Sequence, residues 1–215
     1  MKIRYDKMML EELEWIRASG RTPRLLLHVC CAPCTSGCLD RLTDTFEVTC
    51  YYYNPNISPK EELSRRYAEL VRLTGLMAPD GRVTVEEGPY DPERFEALAR
   101  GLESLPEGGE RCARCYRLRL TETARKAREE GYDYFATTLS VSPYKNAEKL
   151  NLIGAELSAG YGVKWLYADF KKNDGYLRSI RRSAEYGLYR QDYCGCSYSR
   201  EARLIQKQQS RADAE

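Results

Sequence analysis

Cysteine is the residue type in this sequence with the most evident capacity for chemistry. The 215-residue chain has nine cysteines, most of them in three closely spaced groups. In chain order they are Cys30, Cys31, Cys34, Cys38, Cys50, Cys112, Cys115, Cys194 and Cys196. Thiolates bind soft metal ions, and a pair of thiols stores two electrons as a disulfide. The spacing therefore indicates a metal-binding or redox protein.

The expected compartment favours metal or redox chemistry over structural disulfides. The N-terminal segment MKIRYDKMMLEELEWIRASG is too charged for a secretory signal, and no run approaches the about 18–20 apolar residues that a membrane span needs. We therefore expect a cytoplasmic protein without membrane contact, where thiols stay reduced. An odd number of cysteines also cannot pair completely.

The elements that must position these thiols alternate between strand and helix. The run RLLLHV (24–29) is continuously apolar, which is typical of a strand buried on both faces. Strands are predicted at 24–29, 46–54, 82–88, 132–139 and 163–170, and helices at 5–19, 34–43, 58–75, 91–105, 112–130, 147–160 and 174–187. This alternation predicts an α/β fold, a Rossmann-like parallel sheet of about five strands in the order 3-2-1-4-5 with helices on both faces.

The domain organisation is predicted to be simple. One α/β domain covers 1–215, with an N-terminal helix at about 5–19 and a helical segment at about 174–215 that contains the last cysteine pair. The loops after strands one, four and five are expected to meet at one edge of the sheet, because ligands of such folds bind beyond the carboxyl ends of the strands. The first cysteine group lies in the first of these loops.

Four of the thiols suit two different metal centres. Cys112 and Cys115 stand at the start of a helix, where unpaired N–H groups and the helix dipole favour thiolate. Together with Cys30 and Cys31 they could hold structural zinc or a [4Fe–4S] cluster. Adjacent ligands such as Cys30 and Cys31 do not match the usual zinc knuckle, which favours iron–sulfur. Cys34 follows one turn later and could ligate a second metal.

The remaining cysteines suggest different uses. A disulfide between Cys194 and Cys196 would close a small, strained and easily reduced ring, so this pair suits a two-electron store. A further pair of metal ligands or two unremarkable thiols are the open alternatives. Cys38 and Cys50 are predicted to be small buried hydrophobic residues, and His28, the only histidine, to be a core residue.

Five motifs together resemble one family, the cobalamin-independent epoxyqueuosine reductases. They are HVCCAPC (28–34), YYYNPNISP (51–59), RCARCYRLRL (111–120), TTLSVSPYKN (137–146) and DFKKNDGYLRSIRRSAEYGLYRQDYCGC (169–196). The resemblance implies an oxidoreductase that reduces epoxyqueuosine to queuosine at the wobble position of tRNA. The anticodon loop of tRNA and an unidentified electron donor are the implied partners, and the fold should resemble that of the adenine-nucleotide α-hydrolases.

The resemblance also implies roles for the thiols. A [4Fe–4S] cluster is implied on the four cysteines already singled out, namely Cys30, Cys31, Cys112 and Cys115. Cys194 and Cys196 are implied to be the catalytic, redox-active disulfide, and a second, mononuclear iron is implied beside the cluster near Cys34.

Two further expectations concern the reaction and the RNA. Tyr144, Lys145 and Asp169 are candidates to protonate the leaving epoxide oxygen. The net charge is only +2, yet the segment 170–191 is rich in lysine and arginine and is expected to contact anticodon phosphates.

Three alternatives belong to other functional classes. An iron–sulfur tRNA-thiolation enzyme would need a phosphate-binding loop where CCAPC stands. A zinc-stabilised RNA-binding module would be colourless and would leave tRNA unchanged. A thiol–disulfide oxidoreductase would leave the first two cysteine groups without a use.

Overall fold

Five parallel strands form the centre of the molecule. The computed structural model describes residues 3–212 and places the strands in the order β3-β2-β1-β4-β5. Their bounds are β1 Arg24–His28, β2 Glu47–Tyr52, β3 Val83–Glu87, β4 Tyr134–Thr137 and β5 Lys164–Trp165. All four pairings are parallel, which confirms the predicted α/β class and strand order.

Eight helices accompany the sheet within the described residues. They are α1 Tyr5–Ala18, α2 Ala32–Leu42, α3 Lys60–Met77, α4 Pro92–Ala99, α5 Glu110–Glu129, α6 Ala147–Tyr161, α7 Gly175–Glu185 and α8 Ser197–Ala212. The helix predicted at about 5–19 is confirmed as α1. Of the domain predicted over 1–215, residues 1–2 and 213–215 lie outside the described residues. No helix from residue 3 to residue 212 is long and apolar enough to span a membrane.

Strand β1 shows why both faces of the sheet are covered. Its side chains alternate, so Leu25 and Leu27 pack into one apolar cluster and Leu26 into another. The first cluster includes residues of α1, α2 and α3, and the second includes residues of α5 and α6. Helices on both faces were predicted from the continuously apolar strand, and the two clusters confirm them.

The predicted strand at 163–170 is wrong in length. Only Lys164 and Trp165 pair with β4, and the chain then leaves the ladder. The side-chain amide of Asn151 on α6 takes over both main-chain groups of Ala168, accepting from its N–H at 3.1 Å and donating to its carbonyl at 2.9 Å. These bonds satisfy the main chain without a neighbouring strand.

The carboxyl edge of the sheet is tied together by His28. Its Nδ1 lies 2.9 Å from Thr137 Oγ1 at the end of β4, and its Nε2 lies 3.1 Å from the Tyr53 carbonyl just after β2. The side chain is fully buried, and burial lowers the pKa of His28 to about 3. His28 is therefore a neutral core residue, as predicted, and it fixes the strand ends from which the first cysteine group begins.

Candidate functional site

Three thiols converge where β1 passes into α2. The Sγ atoms of Cys30 and Cys31 are 3.7 Å apart, and both lie within 4.8 Å of the Sγ of Cys34. Cys31 is the residue before α2 and has an extended backbone, while Cys34 lies in the first turn of that helix. Four sulfurs at 2.3 Å from one metal ion are about 3.8 Å apart. Adjacent residues at a strand-to-helix turn thus bring sulfurs to metal-binding spacing.

The three thiols differ in their pKa values. Hydrogen bonds from Cys30 and Cys34, and then the charge of Arg66, hold the pKa of Cys31 well below its ordinary value. The pKa of Cys34 is raised well above its ordinary value, first through its hydrogen bonds to Cys30 and Cys31. One thiolate is therefore stabilised by its two neighbours, and a soft metal ion would replace the remaining protons.

The other two cysteine groups line one cavity. This cavity has a volume of about 330 Å³, part of it open to solvent, and its walls include Cys112, Cys115, Cys194 and Cys196. Burial raises the pKa of Cys115 to about 11 and that of Cys196 to about 12. The C-x-x-C of α5 and the C-x-C before α8 therefore face each other across a largely apolar space.

The C-x-x-C also connects this cavity to the first thiol group. Cys112 packs against the apolar cluster that contains Cys30 and Cys31, and Cys115 packs in a cluster with Cys196. Within residues 3–212, the group of sulfurs within 4.8 Å of one another contains no cysteine of the C-x-x-C. The ligand set Cys30, Cys31, Cys112 and Cys115 therefore stays a prediction, and Cys112 is the member of the C-x-x-C that packs against the cluster of Cys30 and Cys31.

The C-x-C segment is held through its main chain. Arg66 donates to the Cys194 carbonyl at 3.0 Å, Ser58 N–H donates to the Gly195 carbonyl at 3.0 Å, and Cys194 N–H donates to Ser199 Oγ at 2.9 Å. Gly195 has a φ of +128°, a conformation that favours glycine. All nine cysteines are free thiols, so the structure shows Cys194 and Cys196 unpaired.

Two buried arginines are the site residues that the sequence analysis missed. Arg66 and Arg119 are each 1% exposed, and the Nη2 atom of each is buried without a hydrogen-bond partner among the described residues. Arg66 lies on the apolar face of α3 between Leu63 and Leu70, at helical spacing. An arginine inside an apolar stripe is the signal that could have identified it.

These unpartnered guanidinium groups fit an anionic occupant. Native proteins rarely leave a buried donor unsatisfied, and a buried cation needs a counter-charge. Arg119 lines the cavity with Cys112 and Cys115, and a soft metal held by thiolates is a net anion there. Donor type and surrounding charge thus both suit a metal–thiolate centre.

The three candidate proton donors occupy different environments. Tyr144 is 78% exposed, and Asp169 accepts a hydrogen bond from Lys171 Nζ at 3.1 Å. Lys145 is buried; burial opposes its charge, but the thiols of Cys194 and Cys30 raise the pKa of Lys145 above its ordinary value. Of the three, Lys145 is the side chain placed among the thiols.

The basic segment divides into structural and exposed cations. Arg182 on α7 donates to both carboxylate oxygens of Asp40 on α2, at 2.9 and 3.2 Å. Arg190 donates to the Ser179 carbonyl at 3.2 Å. Both therefore hold α7 and its surroundings in place, although Arg190 is exposed, as Lys172 and Arg181 are.

Comparison with known proteins gives a consistent result. A family model described as "Epoxyqueuosine reductase QueH" matches residues 25–202. A protein of that name from Streptococcus pyogenes serotype M1 is 43% identical over 216 residues, covering 99% of this chain and 84% of that protein. Another from Staphylococcus epidermidis is 39% identical, covering 100% and 92%, and one from Thermotoga maritima is 35% identical, covering 88% and 94%. The matched range includes all three cysteine groups.

Proposed function

Because the chain belongs to the epoxyqueuosine reductase QueH family and is thus an oxidoreductase, we propose that it reduces epoxyqueuosine to queuosine at the wobble position of tRNA. The observation that carries the proposal is the convergence of Cys30, Cys31 and Cys34 beside a cavity lined by four more thiols. Deoxygenating an epoxide to an alkene consumes two electrons and two protons and releases water, so a site rich in thiols is suited to it. A tRNA-modifying role also fits the cytoplasmic location predicted from the sequence.

The proposed cofactor is a [4Fe–4S] cluster held by Cys30, Cys31, Cys112 and Cys115, with a mononuclear iron near Cys34. Support comes from the soft donor set and from the unpartnered guanidinium nitrogens of the buried arginines. When bound, such a centre supplies single electrons, and an iron with an open position is a Lewis acid toward an oxygen atom.

The protein's own residues can supply the two electrons and two protons. Cys194 and Cys196 give up two electrons and two protons when they form a disulfide, which matches what one epoxide consumes. Lys145, which is buried, relays one of these two protons to the leaving oxygen and is then reprotonated by the thiols. An external electron donor then returns the disulfide to two thiols.

The RNA is proposed to approach the carboxyl edge of the sheet. A wobble base must leave its anticodon stack to reach buried thiols, and single-stranded loops allow this at modest cost. Tyr144 is an exposed aromatic side chain in the loop that also contains Lys145, so it can stack on an unstacked base. Lys172 and Arg181 are exposed and available to phosphates.

The test combines metal analysis with product analysis. Protein purified without oxygen is counted for iron and sulfide, then incubated with a chemical reductant and tRNA that contains epoxyqueuosine. Mass spectrometry of the nucleosides should show the loss of one oxygen atom. Cys112→Ser should lose metal, whereas Cys194→Ser should keep metal and stop turnover. A colourless zinc protein that leaves the nucleoside unchanged would overturn the proposal.

A further inference from the structure

Four buried cations lie near the thiols, and carboxylates pair with few of them. Arg66 and Arg119 are each 1% exposed, Arg111, which lines the cavity, is 4% exposed, and Lys145 is 9% exposed. The guanidinium of Arg111 is directed to the Leu102 and Glu103 carbonyls, which leaves the other three as candidates to act on the thiols. Among residues 3–212, Glu62 pairs with Arg66 at 2.7 Å, and neither Arg119 nor Lys145 forms an ion pair with a carboxylate. These side chains therefore place an excess of positive charge where contact with water is limited.

Each cation faces a different cysteine group. Arg66 donates to the Cys194 carbonyl at 3.0 Å, and its charge helps to stabilise the Cys31 thiolate. Arg119 lines the cavity beside Cys115, and one of its nitrogens lies 3.3 Å from Asn54 Oδ1 while another has no partner. The two guanidinium groups thus lie beside the C-x-C and the C-x-x-C.

Lys145 adds a buried cation at the carboxyl edge of the sheet. It lies in the loop that follows β4, and β4 pairs with β1, after which the first cysteine group begins. Arg119 contacts the C-x-x-C directly, because its Nε donates to the Cys115 carbonyl at 3.4 Å. Positive charge thus lies close to the first cysteine group and to the C-x-x-C.

A buried excess of positive charge favours whichever state of its occupant is more negative. Burying an unpaired charge is expensive, so these cations are stable only beside an anion. The reduction potential of an iron–sulfur centre depends on the net charge around it. We propose that Arg66, Arg119 and Lys145 form a cationic cage that stabilises the reduced state of the metal–thiolate centre and so raises its reduction potential.

This inference rests on the proposed function, because it takes the occupant to be a redox-active metal centre. The step itself is the gain of one electron from the external donor, with no bond made or broken. The cage acts on the equilibrium of that step. Arg66 and Arg119 are accordingly positioning residues and need not touch the substrate, whereas Lys145 contributes its charge in addition to its proposed role as a proton donor.

The test is a redox titration of the metal-loaded protein, followed by EPR. Arg119→Gln should lower the equilibrium constant for reduction at least tenfold, which is 59 mV for a one-electron couple. Arg119→Lys keeps the charge and should restore most of the potential. Arg117→Gln changes an exposed arginine on the same helix, paired with Glu156, and should leave the potential unchanged.

The outcomes separate this inference from the proposed function. If Arg119→Gln fails to fold, Lys145→Gln provides the same measurement from a loop residue. A loaded centre whose potential is the same in wild type, Arg119→Gln and Lys145→Gln would overturn the cage while leaving the reductase function intact. A shift that Arg119→Lys fails to restore points to lost packing and also overturns it. If the purified protein binds no redox-active metal, both the cationic cage and the proposed function are overturned.

Discussion

The glycine between Cys194 and Cys196 gives the sharpest test of how the C-x-C segment is held. Gly195 has a φ of +128°, and a methyl group added there would lie 2.9 Å from Ile57 Cγ1 and 3.1 Å from Arg66 Nη1. Ile57 is 1% exposed, so it has little room to move. Gly195→Ala therefore combines a strained backbone with a crowded core.

The expected cost can be worked out from these two effects. A strained backbone conformation costs a residue other than glycine about 1–3 kcal/mol. Overpacking a buried site costs about 1–3 kcal/mol more. Gly187 provides the matched control, because its φ is +56° and nothing lies within 4 Å of an added methyl. Gly187→Ala should cost about 1–2 kcal/mol, from the backbone alone.

Urea unfolding of both variants, followed by circular dichroism, measures the difference. Gly195→Ala should lower the free energy of unfolding by at least about 1 kcal/mol more than Gly187→Ala, because only the former is crowded. It should also slow turnover with the metal content unchanged, since the thiols would be displaced from each other. Equal costs for the two variants, with full turnover, would show that the C-x-C segment is not tightly held.

Three further predictions follow from side-chain contacts. Arg181→Ala should weaken tRNA binding and make it less dependent on salt, with the stability of the protein unchanged. Arg182→Ala should mainly lower the stability, because it breaks an ion pair between α2 and α7. Filter binding at two salt concentrations measures the first effect, and thermal melts measure the second. The hydrogen bond from Arg4 holds the pKa of Asp6 below its ordinary 3.8, so this carboxylate contributes stability above that pH and loses it as the pH falls through the lowered pKa. Asp6→Asn should therefore cost about 1 kcal/mol at pH 7 and progressively less as the pH falls below 3.8, in urea titrations. Burial raises the pKa of Cys50 to about 12, so alkylation of the folded protein at pH 8 should leave this thiol unmodified. Alkylation after denaturation should label it, and peptide mapping distinguishes the two results.

Much of the fold could be predicted because it depends on local patterns. The continuously apolar RLLLHV predicted a strand buried on both faces, and the alternation of elements predicted the parallel sheet. The strand order was inferred from the fold class, because no local pattern specifies it. The length of β5 could not be predicted, because it depends on the side chain of Asn151 from another helix. The predicted end of α3 at Gly75 is also wrong, since the helix continues to Met77, which packs against the core.

The sequence predicted which thiols belong to the candidate site, but not which charged side chains are buried beside them. Thiol spacing along the chain places Cys30, Cys31 and Cys34 at one turn without knowledge of tertiary structure. The buried arginines look like their exposed neighbours in sequence: Arg65 precedes Arg66, yet it stacks on Tyr189 at the surface. The position of Arg66 between Leu63 and Leu70 in the apolar stripe of α3 distinguishes the two arginines, but only the packing of α3 brings Arg66 to the Cys194 carbonyl.

The two cysteines of the C-x-C are unequally buried, so an attacking thiol can reach one sulfur more easily than the other. Cys194 is half-buried and Cys196 is 7% exposed, with a pKa raised to about 12. Once oxidised, such a pair presents only Cys194 to a soluble thiol, and the attack would have to expel a poor leaving group. A disulfide between the two cysteines would thus be reduced only slowly by small thiols.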